Sequence, residues 1–172
     1  MAKFSYFFLF LVISFGGFAQ KKPVKKGAAC GPVKETNYKK MQMEAENLMR
    51  GKNVLGTDLE SCCNSPKTGY YRDGFCSTGS GDHGVHVVCA VVTDEFLQYS
   101  KAQGNDLVTP MVAYGFPGLK AGDKWCLCAA RWREAFDAGV APPIVLASTH
   151  AKALQFMPLE VLQSKAIPKI IK

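Results

Sequence analysis

The chain has 172 residues, seven cysteines and a formal net charge of +7. That length allows one domain with a real hydrophobic core. The charge is lopsided: residues 1–52 carry ten Lys or Arg against three Asp or Glu, and residues 53–172 carry eleven of each. The folded part is therefore neutral, and with no aromatic residue interleaved among the lysines of residues 20–33, nucleic-acid binding is not expected.

Met1-Ala2-Lys3 gives a basic start, Phe4 to Phe18 is an uncharged and mostly apolar run, and Gly17 and Ala19 supply small residues at the cleavage positions. Residues 1–19 read as a signal peptide cut after Ala19. The run is short for a bilayer span, and no membrane span is expected after cleavage. Export to the periplasm or the medium is the expected localisation. Gly27-Ala28-Ala29-Cys30 lacks the Leu of a lipobox. Residues 20–33, rich in Lys and Pro, read as a disordered basic linker.

Residues 34–51 form an accessory helix in this reading. Tyr38, Met41, Ala45, Leu48 and Met49 recur at helical spacing, the stripe expected to pack on the domain. Lys40 with Glu44 and Glu46 with Arg50 are i,i+4 pairs, and Gly51 stops the helix. The globular domain follows over 53–164. Val54-Leu55 predicts a short strand, Thr57 to Thr68 a loop, and Asp73-Gly74 between aromatic runs a two-residue hairpin. Gly79-Ser80-Gly81-Asp82-His83-Gly84 has the spacing of a dinucleotide-binding loop, but that motif needs a helix after it. Val85 to Val92 is a β-branched run and predicts a strand, so the glycines read as a plain loop.

Thr93 is placed to cap a helix over Asp94 to Gln103, ended by Gly104. Leu107-Val108 reads as extended. Lys124 to Cys128 predicts a strand with Trp125 and Leu127 on one face and Cys126 and Cys128 on the other. A helix from Ala129 to Gly139 follows, with Trp132, Ala135 and Phe136 inward and Arg133 paired with Asp137. Ile144 to Ala147 predicts a strand, Thr149 a helix cap, and Pro158 the opening of a last helix. Residues 165–172 are a basic tail. The tally is α+β (or α/β): a compact single layer of short strands packed by short helices, plus the N-terminal accessory helix.

Several segments together resemble an uncharacterised bacterial family, domain of unknown function 2237. They are Asn53-Val54-Leu55-Gly56, Thr68 to Gly74, His86 to Ala90, Asp94 to Leu97, Gly104 to Leu107, Tyr114 to Leu119, Trp125 to Trp132 and Ala141-Pro142-Pro143. The resemblance implies a single compact domain and no known activity, cofactor or catalytic residue. Members of the family usually have a basic residue and then Pro-Glu or Pro-Asp after the Thr-Pro, where this chain has Met111-Val112-Ala113. Its members mostly resemble cytosolic proteins without a leader.

Three chemistries remain open, without a named cofactor or partner. The first is a small-ligand pocket near Arg131 and Trp132, walled also by Asp106, Tyr114, Phe116 and His150, with Arg131 holding an anion or salt-bridged to Asp106 or Asp123. That pocket would make the chain a binding or structural module that holds a small ligand or an envelope partner. The second is a thiol-dependent enzyme or redox protein using Cys126 and Cys128. A thiol at a helix N-terminus has its thiolate stabilised by exposed N–H groups, and Cys128 is the better placed. These two cysteines could equally be buried apolar residues or disulfide partners. The third is a metal bound by His86, Cys89, Cys126 and Cys128, with His83 as a substitute. Residues three apart on a regular strand face opposite ways, so His86 and Cys89 need a bulge to meet. In an oxidising compartment Cys76 is expected to bond Cys62 or Cys63, with Cys30 the odd thiol.

Overall fold

The computed structural model describes residues 35–167. The expected signal peptide, the expected linker with Cys30 and the last residues of the expected basic tail lie outside them. The centre is an antiparallel pair, β1 (His86–Val91) and β2 (Lys124–Cys128). Cys89 stands opposite Cys126 and Ala90 opposite Trp125, and the register shifts between His86 and Val88, so that His86 pairs with Cys128. This bulge is the irregularity that alternation alone forbade, and it turns His86 toward the thiol.

Neither strand extends into a wider sheet, because side chains and irregular backbone take the outer hydrogen bonds. Thr68 Oγ1 accepts from Cys126 N at 2.8 Å, and Thr149 Oγ1 accepts from Cys89 N at 3.2 Å. Segment 143–145 supplies Val91 N→Pro143 O and Val145 N→Cys89 O bonds of 2.8 and 2.9 Å. The expected strand Ile144 to Ala147 is thus a single bridged residue, Ile144, followed by a 3-10 turn at Leu146–Ser148.

Helix α2 (Asp94–Ala102) starts at Thr93, whose hydroxyl accepts from Phe96 N at 3.2 Å. Helix α3 (Ala129–Asp137) follows β2 without a linker, with Cys128 as its N-cap. Trp132 and Ala135 are fully buried under it, and the Trp132 indole N–H donates to Pro142 O at 3.1 Å. Arg133 pairs with Asp137 at 2.9 Å as expected. Helix α4 (Leu159–Ser164) begins after Pro158. These elements bury one large apolar cluster that includes Val88, Phe96, Trp125, Leu127, Trp132, Ile144 and Leu162. A second cluster consists of Cys62, Cys76, Cys89 and Cys126. Four helices and a two-stranded sheet among the described residues make the fold α+β. No helix among them is long and apolar enough to cross a membrane.

Four local expectations need correction. Val54 and Leu55 lie in a turn between the bridged residues Lys52 and Asp58, not in a strand. Buried Asn53 replaces the ladder there: its amide donates to Thr57, Asp58 and Ala147, and its carbonyl oxygen accepts from Leu55 N and Thr57 N. Asp73-Gly74 makes no hairpin; positive φ falls at Arg72 and Gly74, and the segment folds back on Thr68 and Gly69. His150, not Thr149, caps the 3-10 helix Ala151–Gln155, because the Thr149 hydroxyl is spent on Val145 O and Cys89 N. Finally, α1 (Glu35–Arg50) forms, but Tyr38, Met41, Leu48 and Met49 on it are exposed rather than packed. It meets the body at its C-terminal end, where the Arg50 guanidinium lies 4.0 Å from the Phe75 ring centre.

Candidate functional site

Two disulfides decide which thiols remain free. Cys62 bonds Cys89 and Cys76 bonds Cys126, fastening two loops to the two strands. The expected link from Cys76 to Cys62 or Cys63 is therefore replaced: each loop cysteine bonds a strand cysteine, a pairing set by tertiary position and not by sequence spacing. This also removes Cys89 and Cys126 from the quartet with His86 and Cys128, and it takes Cys126 out of any pair of free thiols with Cys128. Cys63 and Cys128 are free and partly exposed.

Cys128 ends β2, and the bulge sets His86 across from it. Before His86 the loop closes on itself. Asp82, its carboxylate fully buried, accepts from His86 Nδ1 at 2.6 Å, from His86 N at 2.8 Å and from the Thr78 hydroxyl at 3.0 Å. The imidazole is 36% exposed. Its neighbour Tyr70 lies nearly parallel at 6.2 Å and also ties the loop down through Gly81 O. Val85 adopts φ +50, a rare conformation for a β-branched residue. Its carbonyl is thereby aimed at the first N–H of α3, Ala129 N, at 3.0 Å. Strain of this kind persists only where neighbours hold it, and here it sits beside the free thiol.

The chain thus brings Asp82, His86 and Cys128 into one line. Hydrogen bonding to Cys128 is the main cause that lifts His86 from 6.5 to about 9; burial opposes it and Asp82 adds to it. Burial pushes the Asp82 carboxyl up, but the three hydrogen bonds around it outweigh that and hold it below 3.8. The signs follow. A raised His86 contributes stability that is complete below pH 6.5 and lost as the pH climbs through about 9. A lowered Asp82 contributes above pH 3.8 and fails as the pH falls further. We expect unfolding stability to drop between pH 6.5 and 9 by about 1 kcal/mol, after discounting for screening of a part-exposed ring. Thermal melts of His86→Gln over the same range should be flat.

Gly84 leaves the room this contact needs. A Cβ there would fall 2.5 Å from His86 Cε1, 3.0 Å from Nε2 and 3.1 Å from Cys128 Sγ. Gly84→Ala should push the ring off the thiol, leave global stability within about 1 kcal/mol of the parent, and slow alkylation of Cys128. Equal alkylation rates would show that ring and thiol do not cooperate.

A cleft of about 270 Å³ opens beside His86, walled by Gly69, Tyr70, Arg72 and Trp125. Arg72, itself at φ +54, lays its guanidinium 4.8 Å from the Trp125 ring centre. A second cleft of about 340 Å³ continues past Arg72 and Trp125 toward Leu107, Met111, Tyr114 and Phe116. No carboxylate pairs with Arg72 among the described residues.

The six residues expected around one ligand are divided. Asp106, Tyr114 and Phe116 border the second cleft. Asp106 spends its oxygens on Val108, Thr109 and Lys101, and the Thr109 N–H first among them holds it far below the usual carboxylate range. Trp132 is fully buried, and Arg131 pairs with Glu134 at 3.0 Å rather than with Asp106 or Asp123. The crevice beside Arg131 has no room for a water-sized guest. His150 packs against Gly51, accepts from Lys152 N, and is pushed down by burial and then by Lys152. His83 stands in the loop before the site and is exposed.

Sequence reasoning named His86 and Cys128, but only as metal ligands together. It missed Asp82, Gly84, Tyr70 and Arg72. The available signal was the four-residue step from Asp82 to His86 inside the glycine loop. A search of curated proteins finds no match. The family described as "Uncharacterized protein conserved in bacteria (DUF2237)" matches residues 52–166, which contain every residue of this site. The chain therefore belongs to that family of domain of unknown function 2237.

Proposed function

We propose that the protein is a thiol-dependent acyl-transfer enzyme with Cys128 as nucleophile, His86 as its proton partner and Asp82 as the residue that positions the ring. The observation that carries this is the Asp82–His86–Cys128 line at the start of α3. Nucleophile, base and orienting carboxylate in that order are the parts such chemistry needs. An imidazolium and a helix N-terminus are also the surroundings in which cysteines react.

In the step we envisage, Sγ attacks the carbonyl carbon of an ester, thioester or amide, its proton having gone to His86 Nε2. The tetrahedral adduct collapses, the leaving group departs with that proton, and an acyl-thioester stays on Cys128. Water, deprotonated by His86, then releases the acid and restores the thiol. Arg72 and the charged His86 make the neighbouring cleft electropositive, which supports a small acyl substrate that carries an anionic group.

Export is part of this reading. It is supported by the leader-like sequence of residues 1–19 and by two disulfides, which suit an oxidising compartment. With cleavage after Ala19, residues 20–33 would form a basic linker, 34–51 the helix before the domain, and 53–164 the domain itself. The test is to incubate the protein with an active ester and locate the acyl group by peptide mapping. Acylation of Cys128 with turnover is expected, and none in Cys128→Ser. Labelling that is slow, or equal at Cys63 and Cys128, would end the proposal.

A further inference from the structure

We propose that when both disulfides are reduced, Cys62, Cys76, Cys89 and Cys126 form a tetrathiolate site for a divalent cation that prefers sulfur, zinc foremost. The sulfurs of Cys62, Cys76 and Cys89 all lie within 4.8 Å of one another, and that of Cys126 is bonded to Cys76. All four cysteines are buried and form a cluster of their own apart from the main core. A tetrahedral zinc with bonds of about 2.3 Å sets its sulfurs about 3.8 Å apart. That spacing falls between the bonded pairs and the 4.8 Å that bounds the sulfurs of Cys62, Cys76 and Cys89.

The scaffold divides the ligands usefully. Cys89 and Cys126 face each other across the paired strands, so two ligands are fixed by backbone register. Cys62 and Cys76 come from loops outside regular structure, which can yield the small movement that separating two bonded sulfurs requires. Burial keeps water and chelators from competing. No His or carboxylate is needed, so Cys128 and His86 stay outside the site.

The chemistry balances with one class of co-reactant, a dithiol reductant. Each disulfide accepts two electrons and two protons from one dithiol, which leaves as its own disulfide. The four thiols then lose four protons as the cation binds. Oxidation by a disulfide of matching class reverses the sequence and expels the metal. The cluster would thus hold the loops to the strands by covalent bonds when oxidised and by a metal when reduced.

The test uses the full chain, reduced with a phosphine without oxygen and titrated with Co²⁺ and then Zn²⁺. One Co²⁺ per chain with thiolate charge-transfer and tetrahedral d–d bands is expected, displaced by Zn²⁺ and lost on reoxidation with proton uptake. A Cys30→Ser, Cys63→Ser, Cys128→Ser variant, which keeps only the quartet, should bind like the parent. Cys62→Ser and Cys89→Ser should lose the spectrum. If reduction unfolds the chain, near-ultraviolet circular dichroism should return on adding Zn²⁺. Reduced protein that takes up no Co²⁺, uptake that survives Cys62→Ser and Cys89→Ser, or a reduced chain that stays unfolded with Zn²⁺ would each overturn the proposal.

Discussion

His86→Ala is expected to slow the acylation of Cys128 by an active ester by on the order of 10²–10⁴-fold, the span of a well-placed proton acceptor. The fold should tolerate the change. Asp82 keeps two of its three donors, the backbone N–H of residue 86 and the Thr78 hydroxyl, so its buried charge does not become an orphan. Added imidazole should restore part of the lost rate, since the vacated space beside Gly84 reaches the thiol. Asp82→Asn separates positioning from proton transfer. The Nδ1–H bond to Asp82 leaves Nε2 of the neutral ring as the nitrogen that can take a proton from the thiol side. Without that carboxylate the ring loses a cause of its raised pKa, and the alkaline limb of the pH–rate profile should move down. Parent rates in both variants would mean that Cys128 reacts alone.

Trp132→Ala is expected to cost about 3–5 kcal/mol, the toll for deleting a buried aromatic side chain. Few domains of this size hold more than about 5–15 kcal/mol in total, so the variant should show a large loss of Tm or fail to accumulate as folded protein. The indole is fully buried, stacks with Phe136 at 5.5 Å, and donates to Pro142 O. Trp132→Phe keeps most of the packing and strands only the Pro142 carbonyl, so it should lose about 1–3 kcal/mol. Calorimetry of the two variants gives the comparison. Similar small losses for both would mean that the corner between β2 and α3 is not where the core is anchored.

The parts of the fold that sequence revealed are those where one local rule decides. β-branched runs made β1, alternation put Trp125 with the core and Cys126 with the sulfur cluster, and Thr93 capped α2. Errors fell where a side chain far away in sequence took a backbone group. Asn53 reaching Ala147 turned an expected strand into a turn, and Thr149 reaching Cys89 gave up an expected helix cap. The α1 stripe misled for a related reason: periodicity shows that a face is apolar, not that anything covers it. Disulfide partners were illegible because connectivity depends on tertiary position. The site was half visible. Cys128 stood out by its place before a helix, but its partnership with His86 hangs on one bulged residue that no sequence pattern marks.

The covered flanks of the two-stranded ribbon carry a consequence for solubility. An open flank of unpaired amides invites a neighbouring molecule to add on and begin polymerisation. Here hydroxyls of two threonines and a kinked, proline-bearing segment occupy those amides, so the smallest possible sheet presents no template for growth. Concentrated protein should accordingly stay disperse while these hydroxyls are in place. Thr68→Val, which keeps the shape and deletes the acceptor, should be the change that starts fibre formation.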